Sequence, residues 1–271
     1  SESIHLLHQA IELGINYFDT ADPYDKGLNE EVLGQAFEGK RDQVIIATKV
    51  GNQWREDGSG WDWNPSNAYI LKSIDKSLFR LRTDHIDLYQ LHGGTIDDPI
   101  DETIEAFELL QQQGKIRYYG ISSIRPNVIR EFVKRSSIVS VMMQYSIADR
   151  RPEEAILDLL NENKVGVLSR GALAQGMLVN KPAKDYLGHS ADSITAASQL
   201  LQGIEVGQQT SAQSAIKFVL QHPALTAAVV GVSKSNHLSE IAAAADKKDL
   251  WDSDIEMLKE VLPAMQYEQH R

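Results

Sequence analysis

Apolar residues along the chain alternate between two patterns. Short runs rich in β-branched and aromatic residues predict buried strands at 15–18, 44–48, 86–91, 116–121, 138–143, 166–168 and 227–230. Longer stretches, apolar at every third or fourth position, predict amphipathic helices at 3–13, 30–37, 67–81, 101–113, 126–134, 152–161, 211–221 and 235–244. Ser66, Pro126 and Pro152 suit helix starts, and Gly14, Gly39 and Gly114 suit left-handed caps after helix ends. Residues 171–210 break this rhythm. They are rich in Gly, Ala, Ser and Gln, hold the polar stretch 180–192, and read as a long, partly mobile excursion after a strand.

Strand alternating with helix predicts parallel βαβ units in a single α/β domain spanning residues 1–271. An open doubly wound sheet would carry a glycine-rich turn after its first strand, and no G-x-G-x-x-G follows any strand here. A closed (β/α)8 TIM barrel of about 250 residues places its chemistry at the C-terminal ends of many strands. That is the pattern of this chain. Seven strands do not close such a barrel, so the first strand is expected N-terminal to this numbering, leaving the domain N-terminally incomplete.

Composition narrows the class of function. Hydrophobic residues at 42% and charged residues at 24% exclude a wholly disordered chain. Lys and Arg total 27 against 38 Asp and Glu, a net charge of −11, which is the wrong sign for a nucleic-acid partner. The absence of cysteine excludes disulfides and thiolate metal sites. No run of about 18 apolar residues and no signal peptide is present, so a soluble, cytoplasmic protein with no membrane partner is expected. Oligomeric state leaves no trace in the sequence.

Polar residues stand where the apolar runs stop: Asp19 and Tyr24 after the first, Lys49 on the second, His92 after the third, Ser122 and Ser123 after the fourth, Gln144 after the fifth, Arg170 after the sixth, Ser233 and Lys234 after the seventh. Singly, each reads as a turn cap, a solvated lysine or a structural histidine. Together, an Asp, a Tyr, a Lys and a His on one rim form a proton-transfer set. A tyrosine of pKa about 10 is a reluctant acid at neutral pH, and a nearby ammonium lowers its pKa. Lys49 can supply that cation, Asp19 can hold it, and His92 can bond the substrate oxygen. Such a set protonates a carbonyl oxygen while a nicotinamide or flavin delivers hydride, because no side chain is a hydride donor.

The segments GINYFDTADPY, IIATKVG, LYQLHGG, IRYYGISS, MMQYS, ALAQGML and GVSKSNHLSE, spread from residue 14 to about 240, resemble the aldo-keto reductases. These are NADPH-dependent barrel enzymes, and the resemblance is strongest to the bacterial branch that also contains the potassium-channel β-subunits. It implies that Asp19, Tyr24, Lys49 and His92 form the catalytic tetrad, with Tyr24 as general acid in reduction and base in oxidation. It implies that Ser122, Ser123 and Gln144 hold the nicotinamide carboxamide, with Ser123 standing where the family usually has Asn. Arg170 falls where many members stack a tyrosine on the nicotinamide, and a guanidinium plane can also stack. Gly171, Leu173 and Gln175 match the pyrophosphate segment, and Gly231, Ser233, Lys234, His237 and Glu240 the adenosine-phosphate segment. Lys234 and His237 are the implied partners of a 2′-phosphate, favouring NADPH/NADP+ over NADH. Ile241 replaces an asparagine common after the glutamate, which removes an adenine hydrogen bond.

Trp54, Trp61 and Trp63 lie in the loop after Lys49. They read equally as an aromatic wall for substrate and as anchors of the loop. His5 and His8 share a helix face but form no metal motif, no metal site is expected, and the Asp97–Asp98 pair precedes a helix start. The leading reading is an NADPH-dependent reductase acting on a small-molecule carbonyl. The competing readings are a cofactor-binding redox sensor with little turnover and a metal-assisted barrel hydrolase.

Overall fold

A computed structural model describes residues 2–204 and 206–271; Ser1 and Glu205, the latter within the expected excursion, lie outside the described residues. The chain divides into two compact units, residues 1–141 and 142–271.

The first unit contains α1 (Glu2–Glu12), β1 (Tyr17–Asp19), α2 (Leu28–Ala36), β2 (Ile45–Val50), β3 (Asn52–Trp54), β4 (Trp61–Trp63), α3 (Asn67–Leu81), β5 (Ile86–Leu91), α4 (Ile100–Gln112), β6 (Ile116–Ser122) and α5 (Pro126–Arg135). Strands β1, β2, β5 and β6 pair in that order, all parallel. Every residue of β5 is buried, as a strand covered on both faces requires. The helix starts and caps expected in this unit are present. The Ser66 hydroxyl accepts from the Tyr69 amide, Pro126 opens α5, and Gly14, Gly39 and Gly114 are left-handed.

Helix α3 shows why its sequence folds this way. It buries Ile70, Ser73, Ile74, Ser77 and Leu81 on one face and leaves Phe79 in solvent. Close packing of α2 against its C-terminal end depends on Gly34, where a Cβ would lie 2.4 Å from the Arg80 carbonyl oxygen. Gly34→Ala is therefore expected to destabilise by about 1–3 kcal/mol despite alanine's better helix propensity, measured by urea unfolding.

β7 (Ser140–Gln144) runs across the unit boundary, and the second unit continues with α6 (Ile156–Glu162), β8 (Gly166–Arg170), α7 (Ala191–Gly203), α8 (Ser211–Leu220), β9 (Leu225–Val229), α9 (Ser235–Ala242) and α10 (Asp252–Val261). β8 and β9 pair in parallel. α8 starts on a reciprocal capping box between Thr210 and Gln213.

Three sequence expectations are corrected. Residues 171–210 contain helix α7, started by Ser190 and burying Ile194, Ala197 and Leu201. Its small Ala and Ser residues blur the apolar stripe. The expected helix over 152–161 is broken at Ala155 into a 3-10 turn, Arg151–Glu154, and α6. The loop after Lys49 is a hairpin: β3 and β4 pair antiparallel, Trp54 with Trp61 and Asn52 with Trp63. Helix α10 was not anticipated. No helix among the described residues is long and apolar enough to cross a membrane.

Candidate active site

Asp19 is the last residue of β1, Lys49 lies near the end of β2, and His92 directly follows β5. The ladder register explains their meeting. Beyond Asp19 the chain still runs along β2, with the Thr20 amide donating to the Ala47 carbonyl at 2.9 Å and the Asp22 amide to the Lys49 carbonyl at 3.2 Å. The His92 amide donates to the Val50 carbonyl at 2.8 Å, fixing the third strand end beside the second.

The Lys49 side chain is only 1% exposed. Its ammonium donates to Asp19 Oδ2 and, at 2.8 Å, to the Thr20 carbonyl. Gln90, which faces Lys49 across the ladder, donates its amide to Asp19 Oδ1 at 3.3 Å. Burial pushes the Asp19 carboxyl above the usual carboxylate range, and the neighbouring Lys49 and Gln90 offset only part of that push.

Tyr24 sits over this pair. Lys49 Nζ is 5.3 Å from the centre of its ring, and the His92 ring stands edge-on to it, centroids 5.7 Å apart at 80°. Tyr24 is 42% exposed, so the ring is open to a small molecule. The turn it begins is strained. Asp25 and Lys26 are consecutive left-handed non-glycine residues, at φ 49° and 54°, a conformation costing on the order of 1–3 kcal/mol per residue. Gly27 follows at φ 94°, where a Cβ would meet the Arg80 side chain at 2.8 Å.

The tryptophans separate in role. Trp63 donates to the Asp98 carboxylate at 3.0 Å and covers Gly51 and Gly93, so it anchors the hairpin. The same Asp98 accepts from the Thr95 amide and hydroxyl, so it also closes the turn before α4. Trp54 takes the Lys26 ammonium 5.5 Å above its ring, and its indole Nε1 is buried with no hydrogen-bond partner. Trp61 is exposed.

At the end of β6, Ser122 is half-buried, while the buried Ser123 hydroxyl accepts from the Arg125 amide at 3.1 Å and is thereby held in a local turn. In the second unit Gln144 and Arg170 meet at the ends of β7 and β8. Arg170 Nη1 donates to Gln144 Oε1 at 3.3 Å, and Gln144 Nε2 donates to the Tyr186 hydroxyl at 2.5 Å. Gly171, at φ 77°, opens the segment through Leu173 to Gln175, itself left-handed at φ 59°. Gly231, Ser233 and Lys234 are exposed on the stretch entering α9, with nothing within 4 Å of a Cβ at Gly231. His237 and Glu240 are half-buried on α9, and the Glu240 carbonyl accepts from Gln213.

Sequence reasoning missed Gln90, Tyr186 and the buried charges around Asp22. Gln90 carried a signal, an amide side chain inside a fully buried strand. Tyr186 carried none, because its contact depends on loop conformation.

The Aldo/keto reductase family model matches residues 1–263. The chain belongs to the aldo/keto reductase family. It is 48% identical over 281 aligned residues to the uncharacterized oxidoreductase YqkF of Bacillus subtilis, covering 100% of this chain and 91% of that protein. Among solved structures it matches the holo form of aldo-keto reductase AKR11C1 from Bacillus halodurans with a TM-score of 0.92 at 46% identity, over 100% of this chain and 91% of the other. An aldo-keto reductase from Klebsiella pneumoniae in complex with NADPH matches with a TM-score of 0.80 at 28% identity, over 99% and 87%. The fold class is therefore the (β/α)8 barrel expected from the sequence, and the chain is an oxidoreductase of this family.

Proposed function

We propose that the chain reduces small aldehydes or ketones with NADPH, as a single oxidoreductase domain, and that Tyr24 is the proton donor. The observation carrying this reading is the convergence of Lys49, Asp19 and His92 on the exposed Tyr24 ring. The Lys49 ammonium favours the phenolate, so the phenol releases its proton more readily than a free tyrosine would. Asp19 fixes the ammonium and balances its charge. His92 bonds the substrate oxygen and aligns it with the Tyr24 hydroxyl.

A bound nicotinamide supplies the hydride. The carbonyl π bond breaks, a new C–H bond forms at carbon, and the Tyr24 proton completes the alcohol at oxygen; the tyrosine regains its proton from solvent. With NADPH bound, Ser122, Ser123 and Gln144 would hold the carboxamide, and Arg170 would offer its guanidinium plane to the ring. Gly171, Leu173 and Gln175 would take the pyrophosphate, and Gly231, Ser233, Lys234, His237 and Glu240 the adenosine phosphate. The donor set suits that group: Lys234 is exposed at the start of α9, whose N-terminus favours an anion, and Gly231 leaves its surroundings open. On the substrate side, the exposed Trp61, paired with Trp54 across the hairpin, is the aromatic surface that a substrate meets, with Trp63 holding the hairpin.

A fluorescence titration with NADPH and NADH tests the cofactor assignment without choosing a substrate. NADPH is expected to bind more tightly. Lys234→Ala is expected to weaken NADPH by about 10–100-fold, the worth of one charge-assisted hydrogen bond, and to leave NADH nearly unchanged. Equal losses for both cofactors would remove Lys234 from the 2′-phosphate. Tight binding with negligible turnover on every carbonyl tested would favour the sensor reading.

A further inference from the structure

Asp22 lies two residues before Tyr24, and the mechanism above gives it no task. Its amide donates to the carbonyl of Lys49, tying the strand end that carries the ammonium to the turn that carries the phenol. Its side chain is 9% exposed. Oδ2 lies 3.5 Å from the Tyr69 hydroxyl, which also lies 3.4 Å from the Asn52 carbonyl, and Oδ1 is buried with no partner.

The charges packed around it can be counted. Glu30 of α2, fully buried, accepts from the Thr48 hydroxyl at 2.6 Å and from Arg80 Nε of α3 at 2.6 Å. Arg80 therefore balances Glu30, and Lys49 of β2 balances Asp19. Tyr69 of α3 and Tyr89 of β5 are the remaining titratable groups that face Asp22, and burial raises both phenols. Among the described residues, the two cations within reach of Asp22, Arg80 and Lys49, are each already hydrogen-bonded to another carboxylate. An ionised carboxylate with one oxygen unpartnered in such a place is costly, and a neutral acid far less so.

We propose that Asp22 is a positioning residue working as a buried neutral acid: protonated, it leaves the Lys49 charge to Asp19 and Tyr24, and losing its proton weakens the proton donor. The inference rests on the reading of Tyr24 as that donor. The direction is set by the surroundings. Burial, reinforced by the Glu30 carboxyl, pushes the Asp22 carboxyl up to about 8 against the pull of Arg80, Tyr69 and Lys49. Once ionised, it adds a second negative charge within electrostatic reach of Lys49. The ammonium then favours the Tyr24 phenolate less, and the phenol becomes a weaker acid.

Two measurements test this. The first is the pH profile of kcat for carbonyl reduction. Wild type is expected to show a falling limb near pH 8. Asp22→Asn, always neutral, should lose that limb. Tyr69→Phe removes the hydroxyl that steadies the ionised form and should move the limb to higher pH. A structural role alone would lower kcat without changing the profile's shape. The second is thermal unfolding against pH, which needs no turnover. A carboxyl raised in the folded state binds its proton more tightly there than in the unfolded chain, so it costs stability as pH rises from the ordinary carboxylate range to about 8. Asp22→Asn should therefore gain in Tm over wild type across that interval and hold the gain above it.

A limb unchanged in both variants overturns the proposal, as does a Tm difference that ignores pH. If Asp22→Asn does not fold, Tyr69→Phe alone decides the limb. Should Tyr24→Phe keep its turnover, the donor assignment fails and the coupling to it falls as well, whereas the unfolding series still reports whether Asp22 is neutral. An inactive Tyr24→Phe with an unaltered Asp22→Asn profile defeats this proposal alone.

Discussion

Tyr24→Phe is expected to lower kcat for carbonyl reduction by about 10²–10⁴-fold, the range for loss of a positioned general acid, while NADPH still binds with wild-type affinity. The substitution removes one oxygen atom from a ring that is 42% exposed, so folding has little stake in it. The Lys49–Asp19 pair below is also held by Thr20 and Gln90, which the substitution leaves in place. The effect should fall on kcat, because the hydroxyl acts in the transition state more than in holding the ground state. Stopped-flow measurement of NADPH oxidation, beside the fluorescence titration, separates the two. Near-wild-type turnover would remove Tyr24 from proton transfer.

The second large effect is at Lys49. Lys49→Met is expected to abolish measurable turnover and to destabilise the fold by about 3–5 kcal/mol near pH 8, the cost of stripping a buried pair of one partner. The loss should be smaller near pH 5. Burial already raises the Asp19 carboxyl, and removing the ammonium raises it further, so the orphaned acid takes up its proton more readily as the pH falls. The sign follows from linkage: a carboxyl raised in the folded state costs stability as pH increases through the interval between its unfolded and folded values. Urea unfolding at the two pH values checks it. Equal destabilisation at both would mean that Asp19 does not titrate in the folded chain, and a mild effect at both would mean that the pair contributes little.

The strand ends were the most legible part of this molecule. Buried parallel strands leave a continuous apolar signature, so β2, β5 and β6 could be placed from their residues, and the polar residue ending each run could be assigned to one rim. The spacing from Asp19 to Tyr24 was readable, but its strained geometry was not. Nothing in Asp25 or Lys26 announces a left-handed backbone, which the surrounding packing imposes. Helix α7 was hidden because alanine and serine give a weak apolar stripe, and the β3–β4 hairpin because its turn, residues 55–60, is six residues long, so that Asp57-Gly58 within it does not read as a two-residue hairpin loop. In the sequence Asp22 is one more acid in the GINYFDTADPY segment. Its surroundings come from Glu30 on the next helix and from Tyr69 and Arg80, distant in sequence, and only the packing of α2 and α3 brings those groups to it.

The central claim, hydride transfer to a carbonyl carbon with a proton from Tyr24, is tested most directly by isotope. The wild-type protein is given NADPH deuterated at the reactive nicotinamide carbon together with a simple aldehyde, and the product is read by mass spectrometry. The account predicts an alcohol carrying deuterium on the former carbonyl carbon, formed by wild type and suppressed in Tyr24→Phe. An alcohol without that deuterium, or one formed equally by both proteins, would contradict it.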